Sequence, residues 1–447
     1  MKGGSSNLFY HLFYFLCLVT LFSCSARGPA LFAKKSPHEQ YSQRIIDAGL
    51  RETALGRSWF QAAEQSLGSP LSITLPYQET GYFAAERPQA AGWKFYGKRG
   101  EKLQIKLEKK PAAGFLVYVD LWELTEAANN RRLLSSADTL TGSLDYEVKT
   151  DAQYILRVQP ELLKSGEYNL SISTGPSLAF PISDRVKSNI GSLWGSGRDG
   201  GKRKHEGIDI FAPFRSPAVA SADGVVTRVT ENTLGGKVVF FRPDKGNYAL
   251  YYAHLDTQMV REGQFVKSGD TLGLTGNTGN ARNTPSHLHF GIYAVGGAVN
   301  PLPFVNPVIA KPSKITASLD NVGQLVRTAG KAAGLFEEPN EKLQSILQLE
   351  NSTLLRVEGA TGSWYKITMP DGRKGFIASS KVNPLSDALR ASKLSAPVAL
   401  IDEPLASAAT ITALNKGEEV RILAGFSNYY FVSQKNERRG WVEKSAL

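Results

Sequence analysis

Four of the chain's six histidines fall within about 85 residues, beside the residue types that metal-assisted hydrolysis needs. They lie in His205-Glu206-Gly207-Ile208-Asp209, in Tyr252-Ala253-His254-Leu255, and in Ser286-His287-Leu288-His289-Phe290. A catalytic zinc centre takes three protein donors, imidazole or carboxylate among them, and keeps a fourth position open. Successive side chains of an extended strand point to opposite faces. On that geometry His205, Gly207 and Asp209 share one face, while Ile208 and Ile210 pack on the other. His287 and His289 likewise share a face opposite Leu288 and Phe290. Gly207 weighs against a helical i, i+4 reading of the first motif. A structural zinc site would be expected to use cysteine and fill all four positions, and no cysteine follows Cys24. Ordinary core or surface histidines account well for one isolated imidazole. They account poorly for two spaced pairs with a third segment between them.

The order His-x-x-x-Asp, Tyr-x-His-Leu, His-x-His resembles the LytM/lysostaphin-type zinc metallopeptidases, which cut peptidoglycan. The resemblance covers residues 180–305. It extends to Leu193-Trp194-Gly195, to Gly207-Ile208-Asp209-Ile210-Phe211-Ala212, to Gly269-Asp270, to the run 273–279 and to the run 285–291. Ser286 stands where the family usually has proline or another small residue, which touches the backbone lead-in rather than a ligand. The resemblance implies that His205, Asp209 and His289 hold one Zn2+, and that His254 and His287 form the catalytic pair. It also implies an antiparallel sheet enzyme of the duplicated hybrid motif fold. Zinc in such a site polarises a peptide carbonyl and lowers the pKa of a water to about 7. The two other imidazoles would orient that water and stabilise developing charge. No His-Glu-x-x-His helix is present to supply a glutamate base, and Glu206 on a strand would point away from the metal.

The expected reaction is hydrolysis of peptide bonds in peptidoglycan stems or cross-links. D-Ala to meso-diaminopimelate links suit a Gram-negative host and glycine bridges certain Gram-positive ones. Relatives that have lost ligands act instead as activators of cell-wall amidases. Every ligand and catalytic position is filled here, which favours an enzyme over a regulator or a wall-anchoring adaptor. Glycines 191, 195, 197, 200 and 201, with Arg198, Lys202, Arg203 and Lys204, form a basic approach to His205. Such a run is ordinarily a solvated face, and beside this site a steering role for a carboxylate-bearing substrate is the second reading.

The start of the chain bears on location. Residues 7–23 are largely apolar and too short for a confident spanning helix. The run Leu21-Phe22-Ser23-Cys24 resembles a lipoprotein signal, which implies acylation of Cys24, and Ser25 implies outer-membrane retention facing the periplasm. An ordinary cleaved signal peptide is the alternative, and either reading exports the chain. With Cys17 removed and Cys24 lipidated, no disulfide would form. Loss of residues 1–23 removes Lys2 and lowers the formal charge from +11 to +10. That charge favours anionic surfaces such as cell-wall polymer or acidic lipid. No aromatic-interleaved basic stripe argues for nucleic acid.

The fold is expected to be mainly β, and 447 residues imply two to four domains. Beyond the signal (1–24), residues 25–71 read as a tether and a helical segment with Ile45, Ala48, Leu55, Trp59, Ala62, Ala63 and Leu67 at helical spacing. Gly49 and Gly56 leave one helix or two open. Residues 72–175 alternate as short strands and suggest a β-sandwich, loosely similar to pre-peptidase C-terminal-like domains. After the peptidase segment 180–305, Pro301, Pro303, Pro307 and Pro312 mark a linker. Residues 306–385 and 386–447 contain a repeat at an offset of 65, with Trp364-Tyr365-Lys366-Ile367 recurring as Tyr429-Tyr430-Phe431-Val432. Both units resemble bacterial SH3-like barrels, which implies wall attachment or peptide binding. Their aromatic residues are read first as core and only second as a ligand platform.

Overall fold

Alternation in the sequence becomes alternation in burial. Along the strand Glu101–Lys110, Leu103, Ile105 and Leu107 are buried while Gln104, Lys106 and Glu108 are exposed. Burying each such apolar side chain contributes about 1.5–3 kcal/mol. The computed structural model describes residues 35–125, 130–330 and 333–447. The leader, Cys24 and the first part of the tether lie outside the described residues.

Two helices open the described chain, Pro37–Asp47 and Ala54–Gly68. Ser36 caps the first with a reciprocal Glu39 bond and a proline at the first turn. The break falls at Gly49, whose φ of +70° suits a residue without a Cβ. Gly56 instead sits inside the second helix, where a Cβ would stand 2.0 Å from the Leu50 carbonyl oxygen. The helices dock on the sheet behind them through polar groups that satisfy one another. Trp59 Nε1 donates to the Pro160 carbonyl at 2.9 Å, and Gln159 Nε2 to the Trp59 carbonyl at 2.9 Å. His38 stacks on Trp59 and bonds Gln159 Oε1 at 2.7 Å.

Residues 71–176 form two sheets over one core. One has five strands in the order Leu71–Ser72, Ala91–Gly97, Ala152–Pro160, Val117–Leu124, Arg131–Ser136. The other contains Tyr77–Phe83, Gly166–Pro176, Glu101–Lys110 and Ser143–Glu147, and it does not stop there. The free edge of Tyr77–Phe83 pairs with Leu354–Thr361, Thr80 opposite Ala360 and Gly81 opposite Gly359. One nine-stranded sheet therefore joins segments nearly 280 residues apart, and Trp364 and Phe376 enter the same hydrophobic cluster as Trp93 and Tyr168. At the seam the buried Glu79 accepts from Lys366, Tyr77 and Tyr168.

The strands of the two C-terminal units recur at the offset read from the sequence. Leu354–Thr361, Trp364–Thr368 and Lys374–Ala378 return as Glu419–Phe426, Tyr429–Ser433 and Arg439–Glu443. Pro301 and Pro303 do not mark a linker. They flank or enter a short helix, Leu302–Val305, whose Phe304 and Val305 are buried in the core of the middle segment.

That middle segment is a ten-stranded antiparallel sheet. Its main path runs Asn189–Ser192, Ile208–Phe211, His287–Ala294, Tyr248–Gln258, Gly236–Pro243, Gly224–Asn232, Phe265–Val266. Ile208, Ile210, Leu250, Tyr252, Leu288 and Phe290 lie fully buried on its inner face.

Burial is the first cause that lowers the His38 pKa, from 6.5 to about 4, with the Arg157 charge adding to it. The unfolded chain therefore takes up this proton below pH 6.5, whereas the folded chain resists until about pH 4. Stability should fall through that window by about 3 kcal/mol on account of this group. Urea denaturation of His38→Phe between pH 7 and 4 should show a shallower loss than the parent; equal slopes would remove His38 as the cause.

Candidate metal centre and groove

The central strands bring the histidine motifs together by register. Asp209 lies directly opposite His289 on the neighbouring strand, and His289 lies opposite Ala253 on the next. His287 and His289 share a face because they are two residues apart, with Leu288 and Phe290 in the core behind them. His205 arrives differently from the expectation of one continuous strand. It precedes the strand Ile208–Phe211 and is held by backbone bonds, its N–H to the Ser196 carbonyl and its carbonyl to the Gly195 N–H, both at 2.9 Å. Gly207 bends the chain between them. A Cβ there would stand 2.6 Å from His289 Cε1 and 2.7 Å from its Nε2. Glycine is needed for the approach of the imidazole, a reason the alternation alone did not supply.

Three donor atoms meet. His205 Nε2 lies 2.9 Å from His289 Nδ1 and 3.0 Å from Asp209 Oδ1, and His289 Nδ1 lies 2.9 Å from the same oxygen. The outer nitrogen of His205 donates to the Leu193 carbonyl at 2.9 Å. In the neutral ring this leaves Nε2 as a lone pair facing a carboxylate oxygen. Two electron-pair donors at that distance call for a cation between them. Zinc bonds of about 2.0–2.1 Å place tetrahedral donors roughly 3.3 Å apart, so the trio fits with small adjustment. Burial works to raise the Asp209 pKa. The neighbouring imidazoles of His205 and His289 outweigh it and hold the carboxyl well below the usual range.

The other two imidazoles stand beside the trio. His254 and His287 have ring centroids 5.0 Å apart, and His287 Nε2 lies 4.0 Å from Asp209 Oδ1. His254 Nδ1 donates to the Thr278 carbonyl at 2.9 Å and His287 Nδ1 to the Pro285 carbonyl at 2.8 Å. Both Nε2 atoms are thereby left free of those bonds. His254 has a φ of +62°, which non-glycine residues seldom adopt. It sits where the register against Gly236–Pro243 slips by one residue, a bulge that re-aims the side chain. Burial, then the neighbouring His287 and His289, lower its pKa to about 4, so the ring is neutral at physiological pH.

The five residues line a groove of about 800 Å³, walled by Arg198, Arg203, Phe240, Tyr251 and Tyr293. Glu206 is exposed at its margin. No sequence signal marks the contact of Tyr251 with His289, their rings edge to face with centroids 5.9 Å apart. Nor does any mark the bond of Arg198 to Asp209.

A family model for Peptidase family M23 matches residues 203–301, a span holding all five residues, and this segment is an M23 peptidase domain. Over 127 residues the chain is 37% identical to the L-Ala--D-Glu endopeptidase of Bacillus subtilis (strain 168), covering 27% of this chain and 39% of that protein. It is 36% identical over 117 residues to the peptidoglycan DD-endopeptidase ShyC of Vibrio cholerae serotype O1, 26% of each chain. The matches thus span well under half of these relatives' own lengths. Among solved structures, the catalytic domain of lysostaphin from Staphylococcus simulans is 28% identical, covering 27% of this chain and 92% of that one with a TM-score of 0.24.

Gly207→Ala should push His289 from its place at a cost of about 1–3 kcal/mol. The variant should fold, as judged by circular dichroism, and retain less zinc than the parent after dialysis. Full zinc occupancy would show that the ring can yield without leaving the site.

Proposed function

We propose that this chain is a zinc-dependent endopeptidase that hydrolyses peptide cross-links or stem peptides of peptidoglycan in the cell envelope. The observation that carries the reading is the trio of His205 Nε2, Asp209 Oδ1 and His289 Nδ1, mutually about 3 Å apart, with two further imidazoles on the same groove. These three residues would hold the metal. Two nitrogens, one oxygen and no cysteine make a donor set typical of catalytic zinc. When bound, zinc supplies Lewis acidity to the scissile carbonyl and to a water.

The protein's own groups carry the protons. His254, neutral and with its Nδ1–H bonded to Thr278, presents Nε2 as the acceptor for a proton from the attacking water. Oxygen adds to the carbonyl carbon, the carbon–nitrogen bond breaks, and the proton passes to the leaving amine. His287, held through Nδ1 by the Pro285 carbonyl, turns its Nε2 edge toward the carbonyl oxygen on which negative charge develops. Phe240, Tyr251 and Tyr293 offer apolar walls for the peptide, and Arg203 brings positive charge to a substrate that carries carboxylates.

The envelope location follows from this substrate and from Leu21-Phe22-Ser23-Cys24-Ser25: an exported lipoprotein, acylated at Cys24 and held at the outer membrane facing the periplasm. A regulator that merely docks on a cell-wall amidase would have no use for five filled positions.

Incubation of the mature chain with purified sacculi of known cross-link type should release peptides with new amine termini, identified by mass spectrometry. His289→Ala should lose zinc and activity together. His254→Ala should keep zinc and lower kcat by about 100- to 10,000-fold. Silence toward sacculi combined with stimulation of an added amidase would overturn the enzyme reading. The intact mass of chain extracted from membranes tests the anchor, which fails if Cys24 carries no lipid.

A further inference from the structure

The two oxygens of Asp209 face different partners. Oδ1 points into the trio, at 2.9 Å from His289 Nδ1 and 3.0 Å from His205 Nε2. Oδ2 accepts from Arg198 Nη2 at 2.5 Å. The same Nη2 donates to Ser192 Oγ at 2.8 Å, and Ser192 stands opposite Asp209 on the adjoining strand. Arg198 reaches this place from a small hairpin, Gly197–Arg198 against Arg203–Lys204. The hairpin turns through Gly200 and Gly201, both at positive φ, and its base is tied to the backbone of His205. Arg198 is therefore part of the apparatus that positions the trio rather than a loose member of a basic run.

A carboxylate can give a metal one oxygen or both. With both, Asp209 would consume the position that a water or a peptide carbonyl must take, because a catalytic zinc site has only one to spare. A guanidinium on Oδ2 forbids that swing, by charge-assisted bonding and by occupying the space beside the oxygen. Resting on the metal-centre reading above, we propose that Arg198 is a positioning residue which reserves one oxygen of Asp209 for itself. The carboxylate then offers the metal a single donor and leaves a coordination position open for the reaction. Lysine would be a poor substitute, since its ammonium is strongly hydrated and sits on a flexible stem, so it is less preorganised to hold both acceptors.

The test uses the full mature chain loaded with Co2+ in place of zinc, since the visible spectrum of Co2+ reports coordination number independently of turnover. Arg198→Ala should bind one metal per chain as the parent does. Its visible bands should weaken, the signature of a rise from four donors to five, and kcat should drop about 10–100-fold with little change in KM. Arg198→Lys should lie between the two. Lys202→Ala, removing a charge from the same loop, should leave both spectrum and kcat as in the parent. An unchanged spectrum with unchanged kcat in Arg198→Ala would overturn the proposal. So would a rise in KM alone that disappears at high salt and is shared by Lys202→Ala, because that pattern belongs to substrate steering. If the parent chain itself bound no metal, the fault would lie with the metal-centre reading and not with Arg198.

Discussion

Two imidazole nitrogens and a carboxylate oxygen about 3 Å apart repel one another unless a cation stands among them, and the middle segment is organised to hold them there. Register fixes two of the three, with Asp209 and His289 facing each other across adjacent strands. Backbone bonds at residues 195 and 196 fix the third. Behind them Ile208, Ile210, Leu288 and Phe290 pack into a core from which these strands cannot shift singly. Buried polar atoms without partners are costly, and the outer N–H groups of His205, His254 and His287 meet this by bonding backbone carbonyls. Those bonds also choose the tautomer, so the reactive nitrogens face inward. Preorganisation here is largely a property of the main chain.

The strand residues of the site and His254 differ in one respect. Asp209, His287 and His289 occupy regular strand positions, where alternation alone aims the side chain. His254 occupies a bulge with a left-handed backbone, held by an N–H to Gly235 carbonyl bond of 2.7 Å and by buried Tyr252 and Leu255 on either side. Such a conformation costs of order 1–3 kcal/mol and survives only where the surroundings over-determine it. The strained turn aims this imidazole in a direction that strand alternation does not provide.

This difference governs what the sequence could disclose. The pairs His287/His289 and Ile208/Ile210 were legible because strand geometry has a period of two and leaves that period in the text. Gly49 and Gly56 left one helix or two open in the sequence, and the left-handed backbone at Gly49 makes them two. The bulge at His254 and the carbonyls of Leu193, Thr278 and Pro285 leave no trace, since any residue supplies a carbonyl. The aim of Arg198 was hidden within a run of cations that otherwise reads as solvated surface. The pairing of Tyr77–Phe83 with Leu354–Thr361 was equally invisible, being a backbone contact between distant edges.

That pairing gives the C-terminal duplication its meaning. Ala360 of the first unit bridges to Thr80, and Gly425, its counterpart 65 residues on, bridges to Thr353 of the first unit. Each unit thus presents the same edge to the module before it. The same face follows: Trp364, Lys366 and Phe376 meet the sandwich, whereas Tyr429, Phe431 and Trp441 meet Leu354 and Leu385. At the middle position the residue matches its surroundings, Lys366 where the neighbour is buried Glu79 and Phe431 where the neighbours are leucines. A buried ion pair seldom adds net stability over an apolar pair, but losing either partner strands a charge at about 3–5 kcal/mol. The seam therefore selects its register more than it strengthens it. Aromatic residues that could have formed a ligand platform are used to join modules. The peptidase sheet is inserted into this frame, entering and leaving side by side where the Leu178 N–H meets the Phe304 carbonyl and the ring of Phe304 fills the space over Gly100. The groove's placement is thereby tied to the sandwich through the base of its own domain.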